Sequence, residues 1–149
     1  KTKHKKKELC HSKMILSPSD FGLHNALENN NGKIIFLDFD YFGKDDPVKL
    51  AADFYFHPGM KISKTNKTYW LSELTKIFGK EDKDFEGRLN FSLPMYGLRW
   101  ILIILNEFLS DVQKRRKHAG LSGDFDLTTV KQTQLKKAQQ LNDYLENNY

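Results

Sequence analysis

The chain has 149 residues, of which 39% are hydrophobic and 13% aromatic, a composition typical of one globular domain rather than a disordered segment. Its longest apolar run, residues 100–105, is far shorter than the roughly 18 residues that a membrane-spanning helix needs, so we expect no membrane partner. The lone cysteine, Cys10, excludes an internal disulfide and fits a reducing cytoplasm. Cys10 and His11 do not supply four ligands at zinc spacing.

The net charge of +5 belongs to the amino-terminal end. Residues 1–13 carry six lysines and one glutamate, whereas the other 136 residues carry 18 basic and 18 acidic side chains. No aromatic residue lies among the lysines to stack on bases, so we interpret them as a solvated linker and expect no nucleic-acid partner. We divide the chain into this basic lead-in, residues 1–13, and a body, residues 14–149.

A β-hairpin is predicted near the start of the body. Residues 14–16 are a short apolar segment, and Pro18 excludes a helix through residues 17–24, which we interpret as an irregular loop. Residues 25–28 and the β-branched residues 34–37 predict two strands, because the Asn-Asn-Asn-Gly sequence between them favours a tight turn.

Helices are predicted over the rest of the chain. Asp46-Pro47 indicates a helix start, and that helix is expected to end before His57-Pro58-Gly59. The further expected segments are residues 67–78 ended by Gly79, a short helix within 82–90, a main helix over 94–118 opened by Pro94, and a last helix over 127–145. The fold class is therefore mainly α with a short β-hairpin, an α+β chain.

Apolar residues at helical spacing predict which faces are buried. In the main helix they are Leu98, Ile101, Leu102, Leu105, Phe108, Leu109 and Val112. In the last helix the stripe is Leu127, Val130, Gln134, Ala138, Leu141 and Leu145. The basic cluster that ends the main helix is followed by Gly120, a helix stop signal, so it needs no nucleic acid to explain it.

Four polar residues around the predicted hairpin suggest phosphoryl-transfer chemistry. If residues 29–33 form the turn region, Asn25 lies near Asp38 on the returning strand, within reach of one magnesium ion. Asp20 precedes Asn25 in the loop and would accept the proton of an attacking hydroxyl. Asn25 and Asp38 would bind Mg²⁺, and Asp40, two residues further along, would add acidity or a metal contact. The alternative is a loop in which these residue types only form turns.

The sequence Ser-Asp-Phe-Gly-Leu-His-Asn-Ala-Leu, followed by Ile-Ile-Phe-Leu-Asp-Phe-Asp, resembles the aminoglycoside phosphotransferase and choline kinase-like group. The resemblance covers roughly residues 14–110, including a later Asp46-Pro47 and Leu50-Ala51. It implies part of the helical carboxy-terminal lobe of a protein-kinase-like fold, which transfers phosphate from ATP to a hydroxyl of a small molecule. It also implies Asp20 as the catalytic aspartate, with Asn25 and Asp38 as the Mg²⁺ ligands.

The chain departs from the pattern of that group at several positions. Pro18 stands where the loop histidine usually lies, and Gly22 where many members have His or Lys beside the phosphate. His24 is interpreted as a structural histidine, with a phosphate contact as the alternative. Leu50 replaces a helix aspartate, and Asp53, one turn later, either braces the catalytic loop or is exposed.

The nucleotide lobe of the group, with its glycine-rich loop and lysine, has no counterpart in the 19 residues before Asp20. The chain is therefore expected to be a piece of something longer and to have little activity alone. A non-catalytic kinase-fold binding module is the main alternative, and a nucleic-acid binder using residues 1–7 is a weaker one. The acceptor would be selected within residues 55–90, whose aromatic residues either stack on it or form the core: Tyr55, Phe56, Tyr69 and Trp70.

Overall fold

The structure is a computed structural model that describes residues 9–112, 114 and 127–149. Among these residues, none of the helices has the length and apolar content that crossing a bilayer requires. The chain divides into two compact units, with the boundary between Asn90 and Phe91. The described part is mainly helical with a short antiparallel hairpin, which confirms the predicted fold class at that level.

Two pairs of short antiparallel strands lie in the first unit. β2 (Ala26–Glu28) pairs with β3 (Ile34–Phe36), and Ala26 lies opposite Phe36, which confirms the predicted hairpin. β1 (Ile15–Ser17) pairs with β4 (Gly43–Asp45), a pairing that the sequence analysis missed. Each of these strands has only three residues, too few for an alternating apolar pattern to be recognised.

The hairpin turn is held by its own polar side chains. The Asn29 Oδ1 atom accepts hydrogen bonds from the backbone N–H groups of Asn31 at 3.0 Å and Lys33 at 2.9 Å. Gly32 has a φ of 76°, a conformation that glycine adopts without steric cost. The Asn-rich turn therefore fixes the register of β2 and β3.

The first two helices are capped at their starts. α1 (Pro47–Phe56) begins where the Asp46 carboxylate accepts a hydrogen bond from the Val48 N–H at 2.9 Å, as the Asp-Pro pair predicts. α2 (Lys64–Phe78) begins earlier than expected, because the Ser63 hydroxyl caps its first turn. The side chains of α1 that form the core are Val48, Ala51, Ala52, Tyr55 and Phe56.

A single helix, α3 (Phe85–Ile104), replaces the two helices predicted around Pro94, so the prediction that Pro94 opens a helix was wrong. A proline inside a helix costs about 3 kcal/mol, because it cannot donate to the carbonyl four residues back, here that of Asn90. The buried side chains of Phe85, Leu89 and Leu93 offset that cost, since each contributes about 1.5–3 kcal/mol. The boundary between the two units falls at this weakened turn.

The predicted core stripe of the main helix was also wrong. In the second unit α3 buries Trp100 and Ile104, which follow Leu93 on the same helical face. Four residues of the predicted stripe are instead exposed: Leu98, Leu102, Phe108 and Leu109. After α3 the chain tightens into a 3₁₀ turn over Leu105–Phe108, and the predicted helix end near residue 118 lies outside the described residues.

The last helix, α4 (Leu127–Asn148), begins where it was predicted and extends three residues further. Ala138 and Leu145 are its most buried residues, and both belong to the predicted stripe. Gly97 of α3 packs against Leu145, because a Cβ atom at Gly97 would lie 2.6 Å from the Leu145 Cδ2 atom. The glycine therefore permits close helix packing within this unit.

Candidate active site

The loop that carries Asp20 is anchored to the end of β1. The buried Ser17 hydroxyl accepts a hydrogen bond from the Ser19 N–H at 3.1 Å. Ser19 has a φ of 65°, a left-handed conformation that is uncommon for a residue with a side chain. The Asp20 N–H then donates to the Pro18 carbonyl at 2.7 Å. These contacts bend the loop sharply just before Asp20.

Lys49 of α1 reaches the same loop from the other side. Its Nζ atom donates to the Ser19 hydroxyl at 2.7 Å and forms ion pairs with Asp45 at 2.8 Å and Asp53 at 3.4 Å. Asp53 is only 6% exposed, so of the two alternatives for this residue the structure favours bracing, through Lys49. The strained Ser19 conformation is thus held by a lysine that two carboxylates orient.

Replacing Lys49 with methionine is expected to destabilise the chain by about 2 kcal/mol, because a charged donor to Ser19 and a cation beside buried Asp53 are both lost. Urea denaturation measures the free energy of unfolding, and amide exchange at residues 17–20 reports the loop itself. Lys44→Met, at an exposed position on β4, is the matched control. Equal unfolding midpoints for the two variants would contradict the bracing role.

Asp20 and Asn25 meet directly. The Asn25 Nδ2 atom donates to the Asp20 backbone carbonyl at 3.0 Å and lies 3.4 Å from the carboxylate Oδ2 atom. With the amide nitrogen used in this way, the carbonyl oxygen is the end of Asn25 suited to a metal. The structure therefore brings together two of the residues that the sequence analysis assigned to one site.

Two histidines approach the other oxygen of Asp20. The Nε2 atom of His24 lies 3.1 Å and that of His57 4.0 Å from Oδ1, and the two rings stack with centroids 3.8 Å apart. Burial, and then the neighbouring His24, lower the pKa of His57, although Asp20 and Asp53 act in the opposite direction. In the described part of the chain, three residues form a group that could hold a metal ion: Asp20, His24 and His57. The nitrogen and oxygen atoms that could bind the ion all lie within 4.8 Å of one another.

Gly22 lies where the loop packs too closely to leave room for a side chain. A Cβ atom at Gly22 would lie 2.6 Å from the Met60 sulfur and 2.7 Å from the Nδ1 atom of His24. The Leu23 N–H also donates to the Met60 sulfur at 3.3 Å, so the loop packs tightly there. A histidine or lysine at position 22 would displace Met60 and His24.

Asp38 and Asp40 follow the hairpin on exposed backbone. The Leu37 N–H donates to the Asn25 carbonyl at 2.8 Å, so Asp38 comes one position after the residue paired with Asn25. Asp38 has a φ of 59°, and among the described residues it shares a positive φ at a non-glycine position with Ser19. Neither Asp38 nor Asp40 belongs to the group around Asp20, and their assignment as metal ligands stays a prediction.

A cavity of about 290 Å³ opens beside the loop at Leu23. Trp70 of α2 forms one wall, stacked on Phe54 with ring centroids 4.1 Å apart, and its indole N–H donates to the Ala51 carbonyl at 3.1 Å. The other lining residues are Lys61, Ile62, Asn66, Tyr69 and Glu73. Of the aromatic residues considered for substrate contact, Tyr55 and Phe56 are instead buried in the core.

The sequence analysis missed Lys49 and His57 as parts of the site. Lys49 has acids four residues before and after it, Asp45 and Asp53, and this spacing predicts ion pairs on one helix face. His57 was interpreted only as part of a helix stop, and nothing local to it indicates Asp20 as a neighbour. No family model, curated protein or solved structure matches this chain, so its function has to be inferred from these residues themselves.

Proposed function

We propose that this chain carries the catalytic loop of an ATP- and Mg²⁺-dependent phosphotransferase that acts on a hydroxyl group of a small molecule. In this proposal it is part of the helical lobe of a protein-kinase-like fold. Asp20 is the base, and Asn25 and Asp38 hold the metal, with Asp40 nearby. The observation that carries the proposal is the direct pairing of Asn25 with both the backbone carbonyl and the carboxylate of Asp20.

The hairpin geometry supports a role for Asp38. Because β2 and β3 pair in register up to Asn25 and Leu37, the chain delivers Asp38 to the end of the hairpin at which Asn25 lies. A left-handed conformation at a non-glycine residue costs on the order of 1–3 kcal/mol, and such strain clusters at functional sites. The φ of 59° at Asp38 fits a residue whose direction is under functional constraint.

The cavity beside Leu23 is the proposed acceptor site. It lies against the loop of Asp20 and combines an aromatic wall with the polar side chains of Asn66, Lys61 and Glu73. Small-molecule sites commonly have this mixture of apolar walls and few polar groups. A hydroxylated compound bound there would approach Asp20 from the side of Leu23.

An exposed apolar surface on the hairpin fits the expected nucleotide lobe. Residues on both strands and beyond leave large apolar side chains in solvent: Leu27, Ile34, Ile35, Phe36, Leu37, Phe39 and Phe42. Exposed apolar surface that goes beyond single scattered side chains usually marks an interaction site. In the proposal, the lobe that supplies the glycine-rich loop and its lysine packs on this surface.

The non-catalytic binding module remains the second candidate because of Gly22. Gly22 offers no basic side chain to contact phosphate, and a larger residue at this position would displace Met60 and His24. If no other residue supplies that contact, the chain would retain the fold of the site without its transfer activity.

The test is magnesium-dependent nucleotide binding by the full-length protein, measured by calorimetry with and without a chelator. Asp38→Ala is expected to weaken the magnesium-dependent part by about 100-fold, since loss of even an outer-shell partner costs about 10- to 100-fold in metal affinity. The control is Asp84→Ala, whose side chain is 78% exposed. Unchanged binding in Asp38→Ala would contradict the metal site, and no nucleotide binding by the wild type would favour the non-catalytic module.

A further inference from the structure

Two imidazole rings from different parts of the first unit converge on one oxygen of Asp20. His24 comes from the loop itself and His57 follows the last residue of α1. Their Nε2 atoms lie 3.1 Å and 4.0 Å from the Asp20 Oδ1 atom, and the rings are parallel to within 5°. The side chains of the two histidines are 20% and 17% exposed, whereas that of Asp20 is 47% exposed.

The hydrogen-bond partners identify which nitrogen of His57 carries the proton. The Gly59 N–H donates to the Nδ1 atom of His57 at 3.1 Å, so Nδ1 acts as an acceptor. A neutral imidazole has one N–H group, which must then be on Nε2, the atom that faces Asp20. Burial lowers the pKa of His57 and so favours this neutral form. An ionised carboxylate offers only acceptors, so Nε2 of His24 is also the donor in its contact with Asp20.

We propose that His24 and His57 are positioning residues for Asp20: the His24 ring N–H donates to Oδ1 at 3.1 Å, the Asn25 amide lies against Oδ2, and the His57 ring, stacked on His24, directs its own N–H at Oδ1 from 4.0 Å, beyond hydrogen-bond distance. This inference rests on the proposed function for its catalytic meaning. Held at both oxygens, the carboxylate cannot rotate freely about its Cβ–Cγ bond, so its remaining lone pairs keep a fixed direction. A substrate hydroxyl would therefore meet a base that is already oriented to accept its proton. This orientation matters for the rate, because misplacement of reacting groups by about 1 Å can lower it on the order of 100-fold.

A metal centre is the competing interpretation of the same three side chains, since two histidines and one carboxylate are common ligands. A metal-bound histidine almost always donates a hydrogen bond from its other nitrogen, but in His57 that nitrogen accepts from Gly59. The lone pairs of two parallel, stacked rings run side by side rather than converging on one ion. The geometry therefore favours two ring N–H groups that face Asp20, one of them hydrogen-bonded to it, over a pair of metal ligands.

The first test needs no activity. In the ¹⁵N-labelled full chain at neutral pH, without nucleotide, His57 is expected to show a protonated Nε2 and an unprotonated Nδ1. Asp20→Ala is expected to raise the solvent exchange rate of the His24 Nε2 proton by about tenfold, the effect of one lost hydrogen bond. A proton on Nδ1, or an exchange rate that Asp20→Ala leaves unchanged, would overturn the proposal. So would Zn²⁺ binding that is lost in His57→Gln and in Asp20→Ala.

The second test compares two amides in place of His57. The side-chain nitrogen of a glutamine can reach as far as the Nε2 atom of the histidine, whereas that of an asparagine ends near Nδ1. We expect His57→Asn to lower kcat for phosphoryl transfer about tenfold with KM for ATP unchanged, and His57→Gln to restore most of it. Equal losses in both variants would overturn the positioning role. If the wild type shows the expected proton on Nε2 but transfers no phosphate, the proposed function is contradicted. The contacts proposed between the two histidines and Asp20 are then still supported.

Discussion

Asp20→Asn is expected to lower the rate of phosphoryl transfer by about 10²- to 10⁴-fold, the usual contribution of a positioned general base. Asparagine has the size of aspartate but cannot accept the proton of the attacking hydroxyl. Its single side-chain oxygen can accept from His24 or from the Asn25 amide but not from both, while the bond from Asn25 to the backbone carbonyl of residue 20 is unaffected. Nucleotide binding with Mg²⁺ should therefore persist, because Asp20 is not among the proposed metal ligands.

The measurement is release of ADP from ATP by the full-length protein, with a panel of hydroxyl compounds and with water as acceptors. Asp84→Asn provides the matched control, since it makes the same change at a largely exposed position. A variant that retains wild-type turnover would exclude Asp20 as the base. A loss of turnover with an equal loss of nucleotide affinity would place Asp20 in binding rather than in proton transfer.

Asp82→Ala is expected to destabilise the chain by about 3–5 kcal/mol, because removing the buried partner of an ion pair is strongly destabilising and both Lys13 and Arg88 lose their shortest contact. Asp82 is only 5% exposed. It accepts from the Lys13 ammonium at 2.6 Å, from the Arg88 guanidinium and from the Asp84 N–H at 3.2 Å. Arg88 also contacts Asp46, the residue that caps α1, so the loss should reach the start of that helix.

The lowered pKa of Asp82 also predicts how the free energy of unfolding changes with pH. Burial would raise the pKa of Asp82, but the hydrogen bonds from Lys13 and Arg88 bring it below its ordinary value of 3.8. The unfolded chain then binds more protons than the folded chain around that pH. The contribution of Asp82 is present above about pH 4 and is lost as the pH falls through the lower pKa of the folded state.

Urea denaturation between pH 2 and 7 checks both effects, over a range that includes the ordinary carboxyl pKa. The wild type should lose stability more steeply in acid than Asp82→Asn, which carries no titrating group at this position. Asp84→Ala serves as the control, because its carboxylate is largely exposed and lies 3.8 Å from Lys13. If Asp82→Ala and Asp84→Ala unfold at the same urea concentration, the buried network does not stabilise the fold.

Local features of the sequence were sufficient to predict the hairpin and the start of α1. The Asn-rich turn forms its hydrogen bonds within five residues, and the Asp46-Pro47 pair starts α1 through a contact two residues away. Such signals act over a few residues, so they hold wherever the segment is placed. The paired side chains of Asp20 and Asn25 are equally local, since both belong to one short loop.

Features that depend on distant contacts were not predicted. Pro94 is a helix-breaking signal, yet burial of Phe85, Leu89 and Leu93 keeps α3 continuous through it. The core stripe of α3 was assigned to the wrong face, because the sequence does not show that Gly97 packs against Leu145. Apolar periodicity gives the faces that can be buried, and packing partners decide among them.

The sequence by itself determined the predominance of helices, the hairpin, and the loop in which Asp20 and Asn25 lie together. The pairing of the strands places Leu37, rather than Asp38, opposite Asn25. Only the tertiary structure decided that Lys49 holds Ser19 and that His57 meets His24 at Asp20, although 37 residues separate Asp20 from His57. The physical reason is the range of each interaction. Turns and caps are formed between neighbours in the chain, whereas the contacts that orient a reactive carboxylate come from elements brought together by burial of the core.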